Sequence, residues 1–317
     1  MDLDIIKQLP SECAKAYRLA LDVRLSIPKK LGKVVTVAGS LGVWVEKILC
    51  DLVSEGAQLP FIPIKGGSIP SYVAEDTLVI IFDAPDWHDE AQEVLAYCTK
   101  VKASVLFLSH ESLPIREPVI GSNVTIFRLP ENLKALLDSR YFFIPALAIL
   151  NSIKELNVAR VEFDEPEAVM NQLAWLAAPD IPSDANQPKM MADYLFGKVM
   201  FIYGVPSLTA GVAMRWKEQI RTAIGQLVAA YELPDIIVNE PSLHTPGLAL
   251  ERQMVFLRDR DENYNVGNKF QELVKANKEV IPQPIEIYGE GNSKLSRICY
   301  LTYLGDFVTA YLELMKK

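Results

Sequence analysis

Hydrophobic and polar positions in the first half of the chain switch repeatedly between continuous apolar runs and a helical period. β-Branched or apolar runs at Val34–Ala38, Phe61–Ile64, Thr77–Phe82, Ser104–Ser109 and Val124–Arg128 predict strands. Helical spacing predicts helices over Asp4–Arg24, Val43–Glu55, Asp89–Val101 and Asn132–Asp138, with Phe143–Glu155 closing the unit. In Asp89–Val101, for example, Val94, Leu95 and Cys98 share one face and charges lie opposite. A run apolar throughout, such as Leu78-Val79-Ile80-Ile81-Phe82, belongs to a sheet covered on both faces. Strands alternating with helices imply a parallel, doubly wound sheet.

Across residues 157–193 the composition turns acidic and proline-rich, through Phe163-Asp164-Glu165-Pro166 and Pro179-Asp180-Ile181-Pro182. That break divides the chain into domains at 1–157 and 158–317. The pattern then restarts with a strand at Val199–Tyr203 and a turn at Gly204-Val205-Pro206-Ser207, where Ser207 is placed to cap a helix beginning near Leu208. One long helical stripe is expected through Val212, Trp216, Ile220, Ile224, Leu227 and Tyr231. Strands at Ile236–Val238, Met254–Leu257 and Pro284–Tyr288 follow, with a helix near Asn265–Ala276 and a final one over Ser293–Lys316. The two halves show one topology: α/β, two doubly wound parallel-sheet domains with helices on both faces.

Charge and cysteine usage narrow the function. A net charge of −8 with no basic cluster disfavours nucleic acid. No run approaches twenty apolar residues, so no membrane span is expected, and the N-terminus lacks a signal-peptide pattern, which points to the cytoplasm. Cys13, Cys50, Cys98 and Cys299 are scattered without metal-type spacing, and buried free thiols are expected. With His88, His110 and His244 the only histidines, no metal site and no cofactor are expected.

The most informative stretch is Val34–Leu52, a strand, a turn carrying Gly39 and Gly42, and a helix. That geometry aims backbone N–H groups and a positive helix end at an anion. If the turn binds, Ser40 and the N–H groups of Leu41–Val43 are the donors; otherwise the glycines serve a tight βα turn. Leu41, Val43 and Trp44 stand where a phosphate loop normally carries hydroxyls or a lysine.

Four stretches together resemble the bifunctional phosphoglucose/phosphomannose isomerase family of sugar isomerase (SIS) proteins. Val35–Trp44 stands at that family's glycine loop. Lys65-Gly-Gly-Ser-Ile-Pro-Ser-Tyr-Val73 with Asp76-Thr-Leu-Val-Ile-Ile-Phe82 is similar to its second-to-third-strand passage. Met214-Arg-Trp-Lys-Glu-Gln-Ile220 resembles its Arg-Trp-Lys helix, and Leu304-Gly-Asp-Phe-Val-Thr-Ala-Tyr-Leu312 its last helix. The resemblance implies two SIS-type domains, a sugar-phosphate substrate and a homodimer. For the dimer, Trp44, Trp87 and Tyr141-Phe142-Phe143 are the expected apolar contact surface.

The departures from the family fall in its active site. Where the family carries Ser-x-Ser-Gly-x-Thr after its third strand, this chain has Phe82-Asp83-Ala84-Pro85-Asp86-Trp87. A carboxylate beside a phosphate is repulsive by roughly 4 kcal/mol per unit charge pair at about 4 Å in a partly shielded site. Thr222 stands where the family has its glutamate base, and the chain ends at Lys317, short of the family's catalytic-lysine tail.

In Asn239-Glu240-Pro241-Ser242-Leu243-His244-Thr245 the histidine falls near the family's ring-opening histidine. Isomerisation needs one acid/base to open the ring and another to move a proton between C1 and C2. His244 suits the first task; Glu218, one turn before Thr222, or Glu240 suits the second. Gly39, Ser40 and Gly42 would form the remaining cradle. Asp83, Asp86, His88 and Asp89 form an acidic cluster with one imidazole just after a strand's carboxyl end, a group suited to acid–base work or to a metal. Asp83, Asp86 and Trp87 would meet the ligand, with Arg215 a phosphate partner and Trp87, at a loop tip, either a sugar-stacking platform or a residue packed at an interface. The alternatives are that Asp86 or Asp89 caps the next helix and that Arg215 and Lys217 lie on a solvated edge.

Two function classes follow. One is a divergent phosphosugar aldose–ketose isomerase converting glucose 6-phosphate or mannose 6-phosphate to fructose 6-phosphate. The other is a non-catalytic SIS protein that binds a carbohydrate derivative or regulates. An isomerase of an unphosphorylated or cationic sugar derivative would better suit Asp83 and Asp86.

Overall fold

The computed structural model describes residues 2–39, 42–54, 56–116, 123–130, 135–153, 163–233, 251–279 and 283–316. They form two compact units, one of residues 11–163 and one of residues 1–10 with 164–317. The boundary expected at 157/158 lies in 154–162, outside the described residues.

The unit of residues 11–163 holds a parallel sheet of β1 (Lys33–Ala38), β2 (Phe61–Lys65), β3 (Thr77–Asp83), β4 (Ser104–His110) and β5 (Val124–Leu129), in the order β2-β1-β3-β4-β5. All seven residues of β3 and of β4 are buried, as their unbroken apolar runs require. Helices α1 (Leu3–Leu21) and α2 (Val43–Ser54) begin the chain's helical set, followed by α3 (His88–Lys100) and α4 (Ala135–Asn151). The sheet face with Val35, Val37, Val79 and Ile81 packs on Ala91, Val94, Leu95 and Cys98 of α3. On the other face Phe82 meets Phe142 of α4 edge-on at 5.8 Å. The two helices expected around residues 132–155 are one element, α4, while 131–134 and 154–155 lie outside the described residues.

In the other unit β6 (Val199–Gly204), β7 (Val228–Glu232), β8 (Arg252–Arg258) and β9 (Ile285–Tyr288) pair in parallel in the order β7-β6-β8-β9. Around them lie α5 (Asp164–Leu176), α6 (Gln187–Leu195), α7 (Ala210–Ile224), α8 (Tyr264–Asn277) and α9 (Lys294–Met315). Residues 295–312 of α9 are all buried, so this helix is surrounded by protein and has no polar face. Pro10 of α1 lacks the N–H that would bond to the Ile6 carbonyl. Tyr303 of α9 donates its hydroxyl to that oxygen at 2.9 Å.

Two expectations are corrected here. The stripe through Leu227 and Tyr231 is not one helix: Gly225, at φ 71°, ends α7, and Val228–Glu232 is strand β7. Tyr231 instead stacks on Tyr203 at 5.5 Å. The acidic, proline-rich stretch of residues 157–193, within which the units divide after Phe163, also holds α5 and the start of α6. Its Asp164-Glu165-Pro166 opens α5, where acids and proline suit a first helical turn, and Asn186 caps α6 by accepting from Lys189 N at 3.1 Å. The expected dimer surface is internal, with Trp44, Trp87, Tyr141, Phe142 and Phe143 all buried within the chain. The strand expected at Ile236–Val238 lies outside the described residues.

Candidate functional site

In an open parallel sheet, ligands bind at the carboxyl edge where the strand order reverses. In the unit of residues 11–163 that point lies between β1 and β3. Gly39 follows β1 and Trp87 lies in the turn after β3. A Cβ on Gly39 would stand 2.5 Å from Trp87 Cγ, so the indole lies flush on the glycine. Trp87 is 7% exposed and joins the core beneath α3, which corrects the expectation of a loop-tip platform. Gly42 is constrained too, since a Cβ there would meet the Ala38 Cβ at 2.4 Å. Internal packing therefore accounts for both glycines.

Asp83, the last residue of β3, is fully buried and held by two side chains through three contacts. Ser109 Oγ, opposite it on β4, donates to Oδ2 at 2.5 Å. His88 Nδ1 lies 2.8 Å from Oδ1 and 3.1 Å from Oδ2. Burial raises the Asp83 pKa, and the bonds from Ser109 and His88 only partly oppose it. His88 Nε2 reaches the Pro114 carbonyl at 3.1 Å, so both ring nitrogens face acceptors. Arg128 Nη1 donates to the carbonyls of His110 at 2.9 Å and Leu113 at 2.8 Å. The network thus fastens the segment after β4 to the carboxyl edge. Burial lowers the His110 pKa, with Asp83 opposing.

Neither Asp86 nor Asp89 caps a helix. The short turn Pro85–Trp87 and α3 open without a side-chain cap, and Asp89 instead pairs with Arg116. Asp86 is exposed. Sequence reasoning missed Ser109 and Arg128, because only strand register sets Ser109 opposite Asp83.

In the other unit Arg215 of α7 pairs with buried Asp306 of α9 at 3.3 Å. Trp216 donates to the Leu301 carbonyl at 2.9 Å, and its indole lies where a Cβ on Gly305 would fall. Gln219 donates to Thr309 Oγ1 at 2.7 Å. The Arg-Trp-Lys and Leu-Gly-Asp stretches are therefore the two sides of one helix–helix contact. Glu218 is half-buried on α7 and Thr222 exposed.

Ser207 does not cap α7. It is exposed at φ 58°, and α7 begins after Thr209, whose hydroxyl accepts from Val205 N and donates to the Leu257 carbonyl. That bond bridges the ends of β6 and β8, where this sheet's order reverses. At the end of β8, Arg258 pairs with Glu262 and Glu286, and beyond it buried Arg297 pairs with Asp259 and Asp261.

Ser40, Glu240 and His244 lie outside the described residues. Among the described residues no His, Cys, Asp and Glu group is placed to hold a metal. All four cysteines are buried thiols outside any disulfide. No helix among them is long and apolar enough to cross a membrane.

Two parallel sheets with helices on both sides, one per unit, define a protein of two SIS-type domains. Residues 184–317 match the family described as the bacterial phospho-glucose isomerase C-terminal SIS domain. The chain is similar over nearly its whole length to bifunctional phosphoglucose/phosphomannose isomerases. It is 25% identical over 97% of its length, and 91% of the relative's, to the bifunctional phosphoglucose/phosphomannose isomerase of Caldicellulosiruptor bescii. Two solved structures share the fold. The C-terminal domain of glucosamine-fructose-6-phosphate aminotransferase from Francisella tularensis has a TM-score of 0.74 at 12% identity, covering 98% of this chain and 94% of that one. A glucose-6-phosphate isomerase like protein from Thermus thermophilus has a TM-score of 0.56 at 16% identity, covering 99% and 93%.

Proposed function

We propose that this protein is a phosphosugar aldose–ketose isomerase that converts glucose 6-phosphate or mannose 6-phosphate to fructose 6-phosphate. The observation that carries the reading is the alignment with a bifunctional phosphoglucose/phosphomannose isomerase across 97% of the chain. The reaction moves protons only, so an acid and a base suffice and no cofactor is invoked. In this reading His244 opens the ring and Glu218 or Glu240 carries the proton between C1 and C2. The turn of Gly39, Ser40 and Gly42 holds the phosphate. The protein acts in the cytoplasm as a homodimer, a state supported by the family resemblance alone.

A second reading, a non-catalytic SIS protein that binds a sugar derivative, is favoured by a different observation. Trp87 lies on Gly39 at the reversal point, and Asp83 stands where the family has hydroxyls. An enzyme-coupled assay starting from fructose 6-phosphate separates the readings. Turnover abolished by His244→Ala supports the isomerase. Binding of fructose 6-phosphate without turnover supports the second reading.

A further inference from the structure

Glu46 lies in the first turns of α2 and is 1% exposed. Neither of its carboxyl oxygens has a hydrogen-bond partner of sound geometry. The Thr36 hydroxyl of β1, which faces it, has none either. Its helix is buried around it: Val45, Ile48, Leu49 and Val53 of α2 are at most 1% exposed, and Cys50 lies one helical turn on. A carboxyl so placed is costly as an anion and tolerable as a neutral acid.

The charged groups around it do not supply a partner. On α2 itself, Lys47 pairs with Asp51 at 3.2 Å. On β1, Lys33 pairs with Asp76 at 2.6 Å. Arg140 of α4 lies 5.9 Å over the Trp44 ring. Lys65, at the exposed end of β2, acts on Glu46 only through space. Burial pushes the Glu46 pKa up to about 7, and Thr36 and Lys65 pull it back only in part. Burial, with the Glu46 charge second, pushes the Cys50 thiol up to about 12, so the carboxyl is the group that changes charge near neutral pH.

We propose that Glu46 is a proton-dependent latch: neutral, it lets α2 seat on β1 and β2; ionised, it favours a state with α2 lifted from the sheet. The first turn of α2 follows Gly42 at the carboxyl end of β1, so the latch links proton concentration to the shape of the candidate site's edge. The inference rests on burial and partner geometry and is independent of the isomerase reading.

The sign follows from linkage. The lifted state ionises near the ordinary value of 4.5 and the seated state near 7. Lifting therefore becomes easier as pH rises from about 4.5 to about 7 and levels off above.

Amide hydrogen exchange across Val43–Ser54, corrected for intrinsic rates and followed from about pH 5 to about pH 8, tests this. Opening of α2 is expected to rise by up to about tenfold per pH unit below about 7, and then to level. Exchange in α3, on the other sheet face, is the control and stays flat. Glu46→Gln and Glu46→Leu each remove the dependence; Leu serves if the Gln variant does not fold. A flat profile for α2 in the unaltered chain, an unchanged profile in the substituted chain, or an equal rise in α3 overturns the proposal.

Discussion

Asp83 shows what a single carboxyl costs when it is taken out of water. It is fully buried, and it is tolerated because Ser109 and His88 satisfy it from two elements. Asp83→Ala leaves both partners facing an empty position and is expected to cost about 3–5 kcal/mol in urea unfolding. Asp86→Ala, three residues on at the surface, is expected to cost under about 1 kcal/mol. Equal losses in the two variants would mean that the Asp83 network does not hold the edge. The cluster of Asp83 and His88 was legible in the sequence from spacing alone. Its meaning was not, because burial of Asp83 depends on a register that brings Ser109 from 26 residues away. The choice between the two readings of Trp87 was not legible for the same reason: its neighbour Gly39 is distant in sequence and adjacent only in the sheet.

Among the elements, α9 depends most on contacts that spacing does not reveal. Its N-terminus holds the Glu165 carboxylate, which accepts from Asn292 N at 2.6 Å, Ser293 N at 2.9 Å and Ser296 Oγ at 2.7 Å. Burial alone would raise the Glu165 pKa; these bonds outweigh it and bring it to about 2. Because the folded value is depressed, the stabilisation is present above the ordinary value of 4.5 and is lost as pH falls towards about 2. Glu165→Gln is expected to weaken the acid limb of the stability profile, seen as a smaller difference between about pH 5 and about pH 2.5. An identical acid limb in the variant would remove Glu165 as its cause. Further along α9, Gly305→Ala places a methyl against the Trp216 indole, with an expected loss of about 1–3 kcal/mol in urea unfolding. Unchanged stability would show that the α7–α9 contact has room to spare. Element positions were mostly readable, since continuous apolar strands and amphipathic helices carry strong periods. The failure at Leu227 and Tyr231 came from a stripe that runs on at helical spacing past Gly225, a stop signal that outweighs the period.

For the whole molecule, the fold follows from two repeats of strand and helix, and the resemblance to the isomerase family follows from motifs in the right order. Two of those motifs, Arg215-Trp216 and Leu304-Gly305-Asp306, now have a structural reason, the contact between α7 and α9. That helix contact explains their presence without requiring catalysis. At the reversal point of the first sheet the chain's own Trp87 packs on Gly39 with the buried Asp83 network beside it, and at that of the second sheet Thr209 bridges to Leu257. On the proposed function, a sugar phosphate nevertheless binds this scaffold. Thermal unfolding of the full chain with and without fructose 6-phosphate tests it most directly. A ligand that binds the folded state alone raises the midpoint with its concentration, by about 2.7 kcal/mol of stability at a hundredfold excess over Kd. That rise is the expected result; a midpoint unmoved by saturating fructose 6-phosphate, glucose 6-phosphate and mannose 6-phosphate in folded protein would show that the scaffold binds none of them.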